Sequence, residues 1–215
     1  MSKSHRKPVL VIGAGGHSKS VISVLRTAGY TVEAVIDDGP SKWGQELLGV
    51  PVAGPTSELA NKAGALAIIA IGNNVSRKTV AERFNHLEWI TLVYPGAYVN
   101  PSAQLGPGTM VFPGAVIGAE ASIGAHVIIS AQCTVGHDSV IGDYAHLAAG
   151  VQVAGEVSIG KGVFLAVGSV VIPGIRIGEW ALVGAGGVVV HDLPDGCKAF
   201  GVPARVVANR RRTQT

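Results

Sequence analysis

From Val93 onward, apolar residues recur every sixth position without a gap. Val93, Val99, Leu105, Val111, Ile117, Ile123, Ile129, Val135, Ile141, Leu147, Val153, Ile159, Leu165, Val171, Ile177, Val183 and Val189 open successive hexads. The second position is often Gly or Ala, and the fifth is mostly small, as at Ala103, Thr109, Ser139 and Ser169. A period of six fits neither the 3.6 of a helix nor the two-face alternation of an ordinary strand. It predicts short strands joined by tight turns, with one large and one small residue facing inward on each side. Three sides make a coil of 18 residues, so every side chain lies above the one 18 positions earlier, with coils about 4.8 Å apart. The glycines are expected at the turns, where φ values open only to glycine are needed.

The first ninety residues follow a different pattern. Pro8 to Ala14 reads as a buried strand, followed by a glycine turn from Gly13 to Ser18 and a helix over Lys19 to Ala28. A second strand, Thr31 to Ile36, ends in Asp37-Asp38. Thr56 or Ser57 is expected to cap a helix reaching Lys62. A third strand, Leu66 to Ile71, ends in Gly72-Asn73-Asn74, and a helix follows over Val75 to Phe84. Strands alternating with helices indicate a parallel sheet that binds ligands at the carboxyl ends of its strands.

The turn Gly13-x-Gly15-x-x-Ser18 holds two glycines of the dinucleotide fingerprint, with Ser in place of the third, and acidic residues follow about 20 positions on. The domain is about half the size of a full dinucleotide fold, which favours a mononucleotide or nucleotide sugar over NAD. Its pyrophosphate would lie on the backbone N–H groups at Gly13, Gly15 and Gly16, where the helix begins. His17 can reach phosphate or sugar, and Asp37 or Asp38 can accept from a nucleobase or ribose. The alternatives are a polar helix start and a solvated turn.

Composition narrows the class. The 215 residues include 30 glycines, 47% hydrophobic residues and only 14% charged ones, with net charge +3. The low charge excludes a disordered or coiled-coil chain. Apolar runs such as Ala65 to Ile71 and Val163 to Ile172 are too short or too interrupted to span a bilayer. The opening MSKSHRKP lacks the apolar segment of a signal peptide, and two cysteines make no disulfide framework, so a cytoplasmic protein is expected. The pI near 9 comes partly from the C-terminal arginines, with no aromatic-interleaved basic stripe, so nucleic acid is not expected as a partner.

Of the seven histidines, His5, His86 and His191 lie outside the repeat or in connections, while His126, His137 and His146 lie within it. A close histidine pair four residues apart, as in carbonic-anhydrase-like hexapeptide proteins, is missing, and no metal is expected. His137 takes the third place of its hexad, Val135-Gly-His-Asp-Ser-Val140, where Val135 and Ser139 fill the inward slots. It should point outward, with Asp138 placed to orient it as a general base. Gly155 occupies the same place one coil on, where a backbone N–H can stabilise an oxyanion.

The repeat resembles the left-handed parallel β-helix of hexapeptide proteins, a fold that implies a homotrimer. Further motifs make the resemblance specific: GAGGHS at Gly13–Ser18, the Asp37-Asp38 pair, IGNN at Ile71–Asn74, GHDSVIGDYAHLAAG from Gly136, and GVPARVV from Gly201. Together they are similar to the bacterial nucleotide-sugar acyltransferases typified by bacillosamine N-acetyltransferase and the sialic-acid O-acetyltransferase-like proteins. The bacillosamine enzyme carries an Asn where this chain has Ser130, and family members often carry an acidic residue where it has Gly136.

That resemblance implies a small Rossmann-like nucleotide-sugar domain over residues 1–92, a β-helix acyltransferase domain over 93–194 and a C-terminal extension over 195–215. It implies His137 as base with Asp138 and Gly155, and Asn73 beside the glycine turn at the nucleotide sugar. Acetyl-CoA is the implied cosubstrate, in a groove between subunits near His146, Ala166, Gly168, Gly184 and Ala185. Arg205, and with it Arg210, Arg211 and Arg212, can meet CoA phosphates. The activity implied is N-acetylation of a nucleotide-linked 4-amino-4,6-dideoxy sugar, GDP-perosamine or a UDP-4-amino sugar, for surface polysaccharide or glycan synthesis. O-acetylation of a sugar and non-catalytic nucleotide-sugar binding are the alternatives.

Overall fold

The computed structural model describes residues 8–209, and the chain divides into two compact units between Pro95 and Gly96. In the first unit, β1 (Val9–Ile12) is central, with all four residues fully buried. It pairs in parallel with β2 (Val32–Ile36) on one side and β5 (Leu66–Ile69) on the other. Outside β2 lie β4 (Val50–Gly54) and then β3 (Glu46–Leu47), and β6 (Glu88–Trp89) lies outside β5. Only the β3–β4 pair is antiparallel in this sheet.

Helix α1 (Gly16–Thr27) starts three residues earlier than its apolar pattern predicts, because the glycine turn itself supplies the first helical residues. Helix α2 (Asn74–Arg83) starts on Asn73, whose side chain accepts from the Ser76 N–H at 2.9 Å. The helix expected after Thr56 is a 3-10 helix over Thr56–Asn61 with no side-chain cap of its own. Thr56 instead gives both its N–H and its hydroxyl to Asp38.

The second unit is a left-handed parallel β-helix. Two-residue strands pair with those 18 residues on, as in Thr134↔Gln152 and Val135↔Val153, and stack into three sheets. The hexad-opening aliphatics from Val111 to Val189 are at most 3% exposed. Burying each contributes about 1.5–3 kcal/mol, so this column is the main source of the prism's stability.

Glycine serves the coil in two distinct ways. The fourth position of every hexad from Gly108 to Gly186 has positive φ, fourteen in succession, and seven of these are not glycine: Glu120, His126, Gln132, Asp138, Tyr144, Glu156 and Trp180. The second-position glycines, expected at the turns, are not in that conformation. A Cβ there would run into the backbone of the coil above, 2.6 Å from Gly124 C at Gly106 and 2.8 Å from His137 N at Gly118. Close stacking of coils is what keeps them small.

Hydroxyls at the inward fifth position bind the coils together. Thr109 donates to Gly124 O and accepts from Val127 N, and Ser139 does the same with Ala154 O and Val157 N. Ser169 occupies the same slot, but there the Gly187 N–H bonds directly to Gly184 O and the buried hydroxyl has no partner among the described residues.

Candidate active site

The 18-residue register lines the left-handed positions along three corners of the prism, and the corners differ in chemistry. One carries Gln132, Gly150, Gly168 and Gly186; the second Glu120, Asp138, Glu156 and Gly174; the third His126, Tyr144, Gly162 and Trp180. On the third, His126 and Tyr144 stack with ring centroids 5.4 Å apart and planes 1° from parallel, and the Lys161 ammonium sits 5.3 Å from the Tyr144 centroid. Trp180 lies against Gly162.

The second corner holds the His137 pair. The His137 and Asp138 side chains are 63% and 56% exposed, as the outward slot requires, while Ser139 is fully buried. His137 Nδ1 lies 2.7 Å from Asp138 Oδ2. With Nδ1 donating, Nε2 of the neutral ring is the basic nitrogen. The left-handed turn at Asp138, φ 57°, allows this contact between sequence neighbours. The imidazole reaches up to Gly155, where a Cβ would stand 2.6 Å from Nε2. The Gly155 N–H donates to no group among the described residues, so it is available to a ligand.

The first corner is bare backbone. A Cβ on Gly168 or Gly186 would meet nothing within 4 Å, and one on Gly150 only Gly168. The face leading to this corner carries His146, its ring edge-on to Phe164 at 5.2 Å and its Nε2 3.4 Å from the Ser130 hydroxyl. Ser130 is thus a polar neighbour for His146. Ala166 lies on this face and Ala185 is exposed near its end. Gly184 has a different use: its missing side chain is filled by the Phe200 ring. Arg205 is exposed and donates to Ala204 O at 3.3 Å. Arg210, Arg211 and Arg212 lie outside the described residues. Among the described residues, no group of three or more His, Cys, Asp or Glu side chains is placed to hold a metal, and no helix is long and apolar enough to cross a membrane.

In the N-terminal unit, Gly13 (φ 104°) packs against the residues that follow β5, where a Cβ would meet Ile71 Cγ1 at 2.8 Å. Ser18 is buried and donates to Gly13 O, so the serine that replaces the fingerprint's third glycine fastens the turn. Gly15 and Gly16 face open space. Asp37 and Asp38 are already engaged. Asp37 accepts from Ala14 N at 2.7 Å, from Gly39 N at 2.8 Å and from Lys42. Burial opposes its charge, but these donors outweigh it and hold the carboxyl below its ordinary value. Asp38, the more exposed of the two, accepts only from Thr56 among the described residues and keeps lone pairs for a ligand.

His17 is held down to about 4 by burial and then by the positive charge of Arg77, so it is neutral at pH 7. Arg77 is fully buried, and no motif singled it out. A signal was present, because Asn74, Arg77 and Ala81 have the helical spacing of the inward stripe of α2.

Two family models cover the regions just described: the PglD N-terminal domain over residues 8–84, and the bacterial transferase hexapeptide (six repeats) over 120–155. PerB from Caulobacter crescentus, solved in complex with CoA and GDP-perosamine, is 40% identical with a TM-score of 0.88 over 94% of this chain and 97% of that one. The chain belongs to the hexapeptide-repeat sugar N-acetyltransferase family. Within that family, the acetyltransferase domain of PglB from Neisseria gonorrhoeae, solved with acetyl coenzyme A, is 30% identical with a TM-score of 0.87, covering 94% of this chain and all of that one. UDP-N-acetylbacillosamine N-acetyltransferase of Bacillus subtilis is 38% identical over 113 residues, 48% of this chain and 50% of that protein. The chain spans half or less of the length of the curated relatives it matches.

Proposed function

We propose that the protein is an acetyl-CoA-dependent N-acetyltransferase acting on the amino group of a nucleotide-linked 4-amino-4,6-dideoxy sugar, either GDP-perosamine or a UDP-4-amino sugar. The observation that carries this reading is the outward His137-Asp138 pair with its ring beside Gly155, whose N–H donates to no group among the described residues. The likeness to a relative solved with both CoA and GDP-perosamine supports the choice of substrates.

The amine lone pair attacks the thioester carbonyl of acetyl-CoA, forming the C–N bond and moving charge onto oxygen. The Gly155 N–H donates to that oxyanion. His137 Nε2 takes the proton from nitrogen, and Asp138 stabilises the imidazolium through Nδ1. The tetrahedral adduct collapses, the C–S bond breaks, and the thiolate takes a proton as CoA leaves. The bare corner at Gly150, Gly168 and Gly186 admits a pantetheine arm close to the backbone, with His146, Ala166 and Ala185 beside it and Arg205 for phosphate.

That corner and the His137 corner are different corners of one chain, so a site using both draws them from two copies. This supports a homotrimer. The nucleotide end binds at Gly15, Gly16 and His17, with Gly13 shaping the turn, Asn73 fixing the neighbouring turn and Asp38 rather than Asp37 reading the nucleobase. The product serves surface polysaccharide or glycan synthesis in the cytoplasm.

Crossing acetyl-CoA with UDP- and GDP-linked 4-amino sugars and following thiol release tests the reading. Release with one nucleotide series supports it. Nucleotide-sugar binding with no release from any pair would make the protein a binding module instead.

A further inference from the structure

The segment that leaves β2 carries Trp43, the most exposed aromatic side chain described in the N-terminal unit, at 40%. Its indole N–H donates to Asp37 O at 2.8 Å. A tryptophan at a protein surface ordinarily buries its ring and turns its N–H toward water. Here the one polar atom of the side chain is engaged by the backbone, so the side-chain surface left to solvent is chiefly apolar ring. The chain around it is well fixed. Pro40–Lys42 form a 3-10 turn in which Lys42 N donates to Gly39 O and Trp43 N to Pro40 O, and Gly44 N donates to Val52 O of β4. The Lys42 ammonium ties the same turn to the Asp37 carboxylate. The indole therefore stands in place without a ligand, and little ordering is left for a ligand to impose.

Asp37 links this ring to the glycine turn: its carboxylate accepts from Ala14 N, and its carbonyl accepts from the indole. Asp38, the next residue, is the carboxylate that keeps lone pairs for a nucleobase. A hydrogen bond from a base edge to Asp38 lies in the plane of the base and leaves both of its faces uncovered. An aromatic ring against one face supplies what the edge contact does not, because every base presents a π-face that stacks. Trp43 is the exposed ring anchored one residue away from that carboxylate.

We propose that Trp43 is the stacking platform for the nucleobase, and that it favours a purine over a pyrimidine because fused rings cover more of the indole than a single ring does. The inference rests on the docking of a nucleotide at the glycine turn, as set out under Proposed function.

The test uses the full chain with GDP, UDP and inorganic diphosphate as probes, followed by titration calorimetry and by tryptophan fluorescence. If neither nucleotide binds the unsubstituted protein, the docking reading itself fails. Otherwise GDP should bind more tightly than UDP, and Trp43→Ala should weaken GDP about five- to a hundredfold, with a smaller loss for UDP and diphosphate within about twofold of the parent. Trp43→Phe keeps a ring and should keep most of the GDP affinity. GDP should quench the emission of the parent, and the quenching should vanish in Trp43→Phe, where Trp89 and Trp180 remain. Unchanged GDP affinity in Trp43→Ala would overturn the proposal, as would an equal loss for diphosphate, the mark of a displaced loop. Quenching that persists in Trp43→Phe would overturn it even if Trp43→Ala does not fold, and a parent that binds UDP at least as tightly as GDP would overturn the purine preference.

Discussion

Replacing Gly155 by alanine adds one methyl group against the His137 ring. The new Cβ would stand 2.6 Å from Nε2, 2.7 Å from Cε1 and 3.1 Å from Cδ2, where carbon contacts settle at about 3.5–4.0 Å. The ring must therefore move by roughly 1 Å. What resists is the exposed bond to Asp138, a pair of the kind worth at most about 1 kcal/mol, so the ring yields and the coil does not. Gly155 lies outside the left-handed region, so alanine brings no backbone strain. The expected outcome is a melting temperature within about 2 °C of the parent. Thiol release should fall about 10²-fold, the effect of displacing a base by that distance.

Gly136→Ala is the contrasting control. Its Cβ would overlap the backbone of Ala154 and Gly155, which cannot swing aside, and the variant should lose about 1–3 kcal/mol of stability. Calorimetric melts and a thiol-trapping assay read both effects. A Gly155→Ala protein with parental turnover would refute the placement of the base beneath Gly155.

Two further outcomes concern the N-terminal unit. His17, held at about 4 when folded against 6.5 when unfolded, contributes stability that is present above pH 6.5 and lost as pH falls toward 4, because the unfolded chain then binds the extra proton. The loss is on the order of 3 kcal/mol, and denaturant melts should show His17→Gln without that slope. Asn73→Ala removes the α2 cap and should cost about 1 kcal/mol in the same melts, with further loss in nucleotide affinity if the 71–74 segment relaxes.

The hexad pattern made the prism legible because a buried aliphatic every six residues has few other structural solutions. The outward His137 and the register of Gly155 followed by counting from Val135 and adding 18. The two uses of glycine did not follow: close stacking at Gly118 and left-handed turns at Gly114 both read as glycine, and seven other left-handed positions carry ordinary residues. The β3–β4 hairpin was missed since Glu46–Leu47 is too short to show alternation. Thr56 looked like a cap, but its hydroxyl serves Asp38 across 18 residues, a tertiary contact that local sequence does not encode. Arg77 was not singled out, because burial of a charge shows only once its carbonyl partners converge around it.

Comparing the parent protein with His137→Asn on a nucleotide-linked 4-amino sugar and acetyl-CoA, with the acylated atom located by NMR, tests the central claim most directly. The account predicts an amide product and a turnover about 10²- to 10⁴-fold lower in the variant. A variant within a few-fold of the parent would leave His137 only a positioning role, and an ester product would contradict amine acetylation at this site.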